Sequence, residues 1–271
     1  MINKGFHFKV GVIVSTYNWE KALAQTLLSI AQQTRLPDQI IIADDGSGMD
    51  TQNTINQFKE KHPHLTITHV WHEDDGFRLA SIRNKAILQA NVDYILQIDG
   101  DIILEKHFIA DHIRFAEEGY FVTGSRLLLN EKITQSILKS GVVPYKALRW
   151  KGTNFFNTFR VPFVTKWLQY SYKTNGRHQY YVKGCHLAFW KKDLLMVNGY
   201  NEDFVGWGQE DTDLSIRLIN GGLRKKFLKF GAIEYHLFHK IASRNQLSNN
   251  NLLLDKAIAE KQIRCNKGLS Q

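Results

Sequence analysis

The stretch YILQIDGD at residues 94–101 decides the fold class of this chain. Its apolar run, with the β-branched residues Ile95 and Ile98, predicts a buried strand of an α/β sheet. Asp99 and Asp101 follow where that strand ends. Ligands of such sheets bind at the carboxyl ends of the strands, so we expect both carboxylates at a binding site. Two aspartates separated by one glycine can turn toward one divalent ion, although Asp-Gly is also ordinary turn chemistry.

Strand and helix patterns alternate through the first half of the chain. The predicted strands lie at residues 10–15, 39–43 and 65–70, and the predicted helices lie at 19–33, 51–61 and 80–90. Repeated strand–helix units imply a mostly parallel sheet that is covered by helices. After Gly124 the pattern becomes irregular. It predicts helices at about 132–139 and 163–171, a strand at 186–190, a helix at 210–220, a strand end at 232–236 and a helical tail at 245–264.

The composition is that of an ordinary globular protein with a basic excess. The 271 residues are 43% hydrophobic, and their formal net charge is +9. A basic excess favours anionic partners such as nucleotide diphosphates, a membrane surface or nucleic acid. Two separated cysteines, no signal-peptide pattern and no apolar stretch of about 18–20 residues predict a cytoplasmic protein. Residues 224–229 and 166–173 could contact the inner membrane surface peripherally, or each could be a solvated basic face.

Two motifs of the first half suit a nucleotide. Residues 44–47 (DDGS) follow a strand of isoleucines. One carboxylate there could accept a hydrogen bond from a pyrimidine ring N–H or from ribose, or it could close an Asx turn. Residues 78–85 (RLASIRNK) place Arg78 and Arg83 around the start of a helix, where phosphate is attracted. Either arginine could equally be a surface residue.

Two motifs of the second half suit catalysis and metal binding. Residues 206–211 (GWGQED) place Trp207 between glycines that allow a tight turn, so the indole can lie over a ligand. Asp211 could act as a general base, or it could be a first-turn acid that complements the helix dipole. His236 and His239 are three residues apart and could turn toward one ion.

In this order the motifs resemble an inverting, family 2-type glycosyltransferase of the GT-A fold, over roughly residues 8–245. The second half is similar to galactosyltransferase domains and to chondroitin-polymerase-type modules. The resemblance implies an α/β fold with a Rossmann-like, mostly parallel central sheet covered by helices. It implies a single domain at 1–271, with a nucleotide-sugar-binding half at about 8–124, an acceptor and catalytic half at about 125–245 and a C-terminal helical tail at 246–271.

The resemblance also implies a reaction. A hexose or N-acetylhexosamine would move from a UDP-sugar to a glycan or glycolipid acceptor in bacterial surface polysaccharide or lipopolysaccharide synthesis, with Mn²⁺ or Mg²⁺ as cofactor. The implied site residues are Asp211 as general base with Glu210 in support; Ser15, Tyr17, Asp45, Arg83, Asp99 and Gly100 for the nucleotide sugar; Trp207 for the acceptor; and Asp101, His239 and His236 for the metal.

Two other classes of protein fit parts of the pattern. A nucleotidyltransferase acting on sugar phosphates also has metal-binding carboxylates in an α/β fold. Residues 16–19 (TYNW), however, hold no glycine-rich basic loop after the first strand. A nucleic-acid-binding module would combine clustered basic residues with base-stacking aromatic residues and no paired acids. The acidic motifs argue against that class, and we expect no nucleic-acid partner.

Overall fold

The computed structural model describes residues 8–146, 148, 155–240 and 244–270. The strands are Val10–Thr16 (β1), Gln39–Asp44 (β2), Ile67–Trp71 (β3), Tyr94–Asp99 (β4), Ile102–Leu104 (β5), Tyr120–Gly124 (β6), Arg126–Leu128 (β7), Leu187–Trp190 (β8), Arg224–Leu228 (β9) and Glu234–His236 (β10). The α-helices are Glu20–Ala31 (α1), Met49–Lys61 (α2), Leu79–Gln89 (α3), Phe108–Phe115 (α4), Glu131–Ser140 (α5), Pro162–Leu168 (α6), Lys191–Met196 (α7), Glu210–Asn220 (α8) and Leu247–Ala259 (α9). Short 3-10 helices lie at Phe155–Thr158 and Gly176–His178. Parts of the predicted acceptor half, at 147, 149–154 and 241–243, lie outside the described residues.

The central sheet has seven strands in the order β3-β2-β1-β4-β8-β6-β9. β1 pairs in parallel with β2 and β4, and β8 runs antiparallel between β4 and β6. Every residue of β1 is buried because both faces of the sheet are covered. Val12 packs in one core cluster with Leu23 of α1, and Ile13 packs in a second cluster with Ile82 of α3. The predicted α/β fold with a mostly parallel, helix-covered sheet is therefore confirmed.

Strand register brings the polar strand ends together. Ser15 lies opposite Asp99 across the β1–β4 pair, and Thr16 lies opposite Asp44 across the β1–β2 pair. A second sheet has the order β5-β10-β7, and its strand β5 is the next strand after β4 in the chain. There His236 pairs with the first residue of β5, directly after the Asp-Gly-Asp turn. The two sheets thus meet at the acidic motif.

The sequence predicted a surface position for the basic stretch 224–229, and this prediction is wrong for Lys225 and Lys226. Residues 224–228 form β9 at the edge of the central sheet, where Lys225 and Lys226 are buried. The Lys225 Nζ donates to the carbonyl oxygen of Tyr181 at 2.7 Å, and burial lowers its pKa to about 8. The Lys226 Nζ pairs with Glu117. These two ammonium groups are internal cations with their own partners, so they contribute to neither a membrane patch nor a solvated face.

Candidate active site

A cavity of about 650 Å³ opens where the two sheets meet. Eleven of the twelve predicted site residues line it, namely Ser15, Tyr17, Asp45, Arg83, Asp99, Gly100, Asp101, Trp207, Glu210, Asp211 and His239. The twelfth, His236, contacts both Asp101 and His239. Motifs that are distant in sequence therefore converge on one space.

Arg83 is a buried cation shared by three carboxyl groups. Its Nη2 donates to Asp99 Oδ1 at 3.1 Å, and its Nη1 donates to Asp211 Oδ1 at 2.9 Å. Glu210 Oε1 lies 3.6 Å from Nη1, and the Nε donates to Ser15 Oγ at 3.1 Å. Burial by itself lowers the pKa of the guanidinium, but the surrounding acids raise it overall. Arg83 therefore stays charged and links Asp99 at the end of β4 to Asp211 in α8.

The acids around Arg83 differ in their protonation and exposure. Burial raises the pKa of Glu210 to about 8, and the negative charge of Asp211 adds to this rise. Burial also raises the pKa of Asp99 to about 6, against the opposing effect of Arg83. The Asp211 side chain is 19% exposed, against 9% for that of Glu210. The pKa of Glu210 is thus raised toward the neutral form, and Asp211 is the more open to the cavity.

Gly184, Gln97 and Tyr200 hold Asp211 in place, and sequence reasoning missed all three. A Cβ added to Gly184 would overlap Asp211 Oδ2, so this close backbone approach requires glycine. The Gly184 carbonyl accepts from Gln97 Nε2 at 2.9 Å. The Tyr200 hydroxyl lies 2.8 Å from Gln97 Oε1 and 3.0 Å from Asp211 Oδ1. The one sequence feature that could have revealed this contact is a glutamine within the apolar strand β4.

The Gly-Trp-Gly segment makes a tight turn at the cavity rim. Gly206 and Gly208 have φ values of 76° and 105°, in the region that favours glycine. Trp207 is 36% exposed, and the Arg244 guanidinium lies 4.9 Å from its ring centroid. The indole is therefore available to a molecule that enters the cavity.

Asp101, His236 and His239 form a cluster that suits a divalent cation. Asp101 Oδ2 lies 3.1 Å from His236 Nε2 and 3.4 Å from His239 Nε2, and the two Nε2 atoms are 3.2 Å apart. One ligand atom from each residue lies within 4.8 Å of the others. Asp101 Oδ1 is buried and has no hydrogen-bond partner among the described residues. One carboxylate with two imidazoles is a donor set that suits a divalent transition-metal ion.

The DDGS turn divides its two acids between a structural contact and the cavity. Asp44 Oδ1 accepts from the Ser47 N–H, three residues on, at 2.9 Å, which is a local structural contact. Asp45 lines the cavity and is held by His72 Nε2 at 2.6 Å and by the Arg78 N–H at 3.0 Å. His72, which the sequence analysis left without a role, thus orients Asp45. A carboxylate has about four lone-pair positions, so Asp45 can still accept from a ligand.

Tyr17 and Gly100 complete the predicted nucleotide side. Tyr17 is half exposed, and its hydroxyl donates to Asp74 Oδ2 at 2.9 Å. The Gly100 N–H donates to the Ser15 carbonyl at 2.7 Å, which fixes the Asp-Gly-Asp turn against β1.

Arg126 is a further cation of the cavity wall that the sequence analysis missed. It begins β7, and its Nη1 donates to Cys185 Sγ at 3.4 Å. Within the described residues, no carboxylate oxygen lies within 4.0 Å of its guanidinium nitrogens. Arg83, by contrast, is surrounded by acids. A single arginine in an irregular stretch gives no pattern from which this position could be predicted.

Known proteins share both the sequence pattern and the fold. Residues 11–179 match glycosyl transferase family 2, and residues 168–240 match the N-terminal domain of galactosyltransferase. The chain belongs to glycosyl transferase family 2. This family 2 glycosyltransferase is 25% identical over 250 residues to a chondroitin synthase of Escherichia coli, a match that covers 84% of this chain and 34% of that protein. It is 26% identical to a hyaluronan synthase of Pasteurella multocida, over 85% of this chain and 24% of that protein. The chain thus spans between about a quarter and a third of the length of these two relatives.

Solved structures show the same fold at low identity. S. aureus TarS 1-349 in complex with UDP superimposes with a TM-score of 0.65 at 19% identity, covering 97% of this chain and 68% of that chain. The mannosyltransferase PcManGT from Pyrobaculum calidifontis, in complex with GDP-Man and Mn²⁺, has a TM-score of 0.62 at 19% identity, covering 97% of this chain and 66% of that chain. The predictions of a GT-A fold and of membership of the family 2 glycosyltransferases are therefore confirmed.

Proposed function

We propose that this enzyme catalyses a metal-dependent, inverting transfer of a hexose or N-acetylhexosamine from a UDP-sugar to a sugar hydroxyl. One observation carries the proposal: a single cavity is lined by Asp211 and, separately, by Asp101 and His239, whose cluster His236 completes. Inversion in one step requires a base on one face of the donor sugar and charge neutralisation of the leaving group on the other. Asp211 would be the base, and the cluster of Asp101, His236 and His239 would hold the ion that neutralises the leaving group.

The donor would lie along the carboxyl ends of β1, β2 and β4. Asp45 would accept the uracil N3–H, and Asp99 would contact ribose, with Tyr17 and Ser15 beside the nucleoside. The TarS structures named for UDP and for UDP-GlcNAc support a UDP-sugar donor. The PcManGT structure named for GDP-Man makes a GDP-sugar the competing donor.

The two cavity arginines would have different roles. The charge of Arg83 is already balanced by neighbouring acids, so we assign it to holding Asp99 and Asp211 in position. Arg126 lines the same cavity without a carboxylate partner among the described residues. A guanidinium that is free of other anions can give paired hydrogen bonds to phosphate oxygens. We therefore assign Arg126, together with the metal cluster, to the diphosphate.

Asp211 would remove the proton of the acceptor hydroxyl while its oxygen attacks the anomeric carbon from the face opposite UDP. The bond from that carbon to UDP breaks, and UDP leaves with the electron pair. Asp101, His236 and His239 would hold Mn²⁺ or Mg²⁺, which supplies Lewis-acid neutralisation of the departing diphosphate. The raised pKa of Glu210 disfavours a second negative charge beside Asp211. The exposed face of Trp207 would pack on the acceptor sugar.

The acceptor would be a growing glycan or glycolipid of a bacterial surface polysaccharide or lipopolysaccharide. The names of two relatives, a chondroitin synthase and a hyaluronan synthase, support a polysaccharide product. A nucleic-acid partner is not part of the proposal, because the cavity is lined by acids as well as by cations.

A donor panel tests the proposal. UDP-, GDP- and CDP-sugars are incubated with sugar acceptors in Mn²⁺, Mg²⁺ or EDTA, and release of the nucleoside diphosphate is measured, with Asp211→Asn as the matched blank. We expect turnover with UDP-sugars only and none in EDTA. The anomeric configuration of the product, read by NMR, should be opposite to that of the donor. Preferred turnover of a GDP-sugar, or retained configuration, would contradict the proposal.

A further inference from the structure

The basic excess of the chain lies in one segment. Residues 132–192 contain no Asp or Glu but twelve Lys or Arg, and the rest of the chain has a net charge of −3. The same segment contains 13 of the 32 Phe, Trp and Tyr residues. Among its described residues, Val182, Gly184 and Cys185 line the active-site cavity.

Helix α6 in this segment turns its aromatic side chains outward. Phe163 is 81% exposed and Trp167 is 77% exposed, and their spacing of four residues places them on one face. Thr165 is on the opposite face, where it is buried against Gly231. A surface helix of a globular protein normally has the reverse arrangement. Phe156, in the preceding 3-10 helix, is also 70% exposed.

The charges around this face favour an anionic partner. Lys166 is exposed on the same helix, three residues after the first aromatic residue. Acids from the neighbouring elements already have cationic partners: Asp111 pairs with Arg160 at 2.6 Å, and Glu117 pairs with Lys226. The exposed aromatic surface is therefore not surrounded by free negative charge from these acids.

We propose that the outer face of α6, formed by Phe163, Lys166 and Trp167, docks the enzyme on an anionic lipid surface. The two aromatic side chains would insert at the head-group level, and the lysine would contact lipid phosphates. Phenylalanine has no polar atom with which to bond an acidic glycan, so a lipid surface suits the face better. The described part of the chain contains no helix of bilayer-spanning length and apolarity, so α6 supplies a peripheral contact.

Vesicle co-sedimentation tests this docking. The wild-type chain is mixed with phosphatidylcholine vesicles that contain or lack phosphatidylglycerol, at low and high salt. We expect at least about tenfold stronger partition to the anionic vesicles, and a loss of at least about tenfold in the double variant Phe163→Ser/Trp167→Ser. Lys166→Glu should weaken partition about fivefold or more. Leu252→Ser, which alters a 70% exposed residue of α9, is the matched control and should bind like wild type.

Three outcomes would overturn the proposal: unchanged partition of the double variant, equal binding to neutral and anionic vesicles, or binding to an immobilised acidic polysaccharide in place of vesicles. Melting temperatures identify any variant that is misfolded. The readout is partition and not UDP release, so failure of this proposal leaves the proposed reaction untouched.

Discussion

Two clusters of the cavity accommodate buried acidic groups in different ways. The arginine cluster comprises Arg83, Asp99, Glu210 and Asp211, and the metal cluster comprises Asp101, His236 and His239. The arginine cluster contains its own permanent cation. The metal cluster has no permanent cation, because its two imidazoles are charged only when protonated, and its Asp101 keeps one carboxylate oxygen without a partner among the described residues. The arginine cluster is therefore complete without a ligand, whereas the metal cluster is completed by a cation.

The two clusters are only one residue apart in the chain. Asp99 ends β4 of the central sheet, and the next strand, β5, begins at Ile102 in the small sheet. The chain therefore crosses between sheets at Gly100. Asp99 turns to Arg83, while Asp101 turns to the histidines. From the residues alone we expected that both aspartates could face one ion, and the contacts show instead that each belongs to a different cluster.

The largest effect on kcat should follow from removing the metal ion from the metal cluster. A metal that neutralises a developing diphosphate contributes several kcal/mol, so EDTA or Asp101→Ala should reduce kcat by about a thousandfold or more. Mn²⁺ added to EDTA-treated wild type should restore turnover. UDP release is measured, with Asp255→Ala, an exposed acid of α9, as the control.

A binding measurement separates lost metal from lost folding. Saturating Mn²⁺ should raise the melting temperature of wild type, by the equivalent of about 2.7 kcal/mol at a hundred times the dissociation constant. It should not raise that of Asp101→Ala or His239→Ala. Full turnover of wild type in EDTA would remove the metal from the mechanism.

Loss of the base should come next in size. Asp211→Asn keeps the shape and the contact with Arg83 but removes the basicity. General base catalysis typically contributes about 10²–10⁴-fold, so kcat should fall by that range. Titration calorimetry with UDP should show nearly unchanged affinity, and the melting temperature should change little. Near-normal kcat with a lowered melting temperature would show that Asp211 only stabilises the start of α8, a contribution of about 0.3–1 kcal/mol.

The N-terminal half could be predicted from sequence because its strands are apolar and its helices have regular spacing. β1, β2 and β4 were each expected within one or two residues of their observed ends. The hydrophobic pattern did not predict strand β9, because Lys225 and Lys226 are hydrophilic residues that are buried with their own partners. It also failed for the three-residue strands β5 and β7, which are too short to show alternation, and for α4.

Residues of the candidate site could be predicted where they belong to a recognisable sequence motif. Acidic and histidine motifs at strand ends predicted the members of both clusters. The contacts of Asp45 with His72 and of Asp211 with Tyr200 depend on distant side chains that meet only in the folded chain. Single residues such as Arg126 have no pattern to mark them. Sequence thus predicted the residues at the cavity better than the residues that orient them.

Removing the cation of the arginine cluster should affect stability as well as activity. Breaking a buried ion pair from one side typically costs about 3–5 kcal/mol, and Arg83→Ala leaves Asp99 and Asp211 without their guanidinium. Both acids are partly exposed, so we expect the lower end, a fall in melting temperature of roughly 10 °C. Asp101→Ala measured in EDTA is the contrast and should hardly change the melting temperature. Equal losses in the two variants would contradict the difference between the clusters.

The last effect comes from Glu210, and it should appear in the pH dependence of stability. Burial raises its folded-state pKa from 4.5 to about 8. Between these values the unfolded chain has lost a proton that the folded chain keeps, so this residue makes stability fall as pH rises from about 4.5 to 8. Gln cannot titrate. The melting temperature of Glu210→Gln should therefore exceed that of wild type by an amount that grows by roughly 10 °C from pH 5 to pH 8. Scanning fluorimetry measures it, with the exposed Glu131→Gln as control. A difference that stays constant with pH would mean that Glu210 is ionised in the folded enzyme, and that the arginine cluster holds three negative charges and not two.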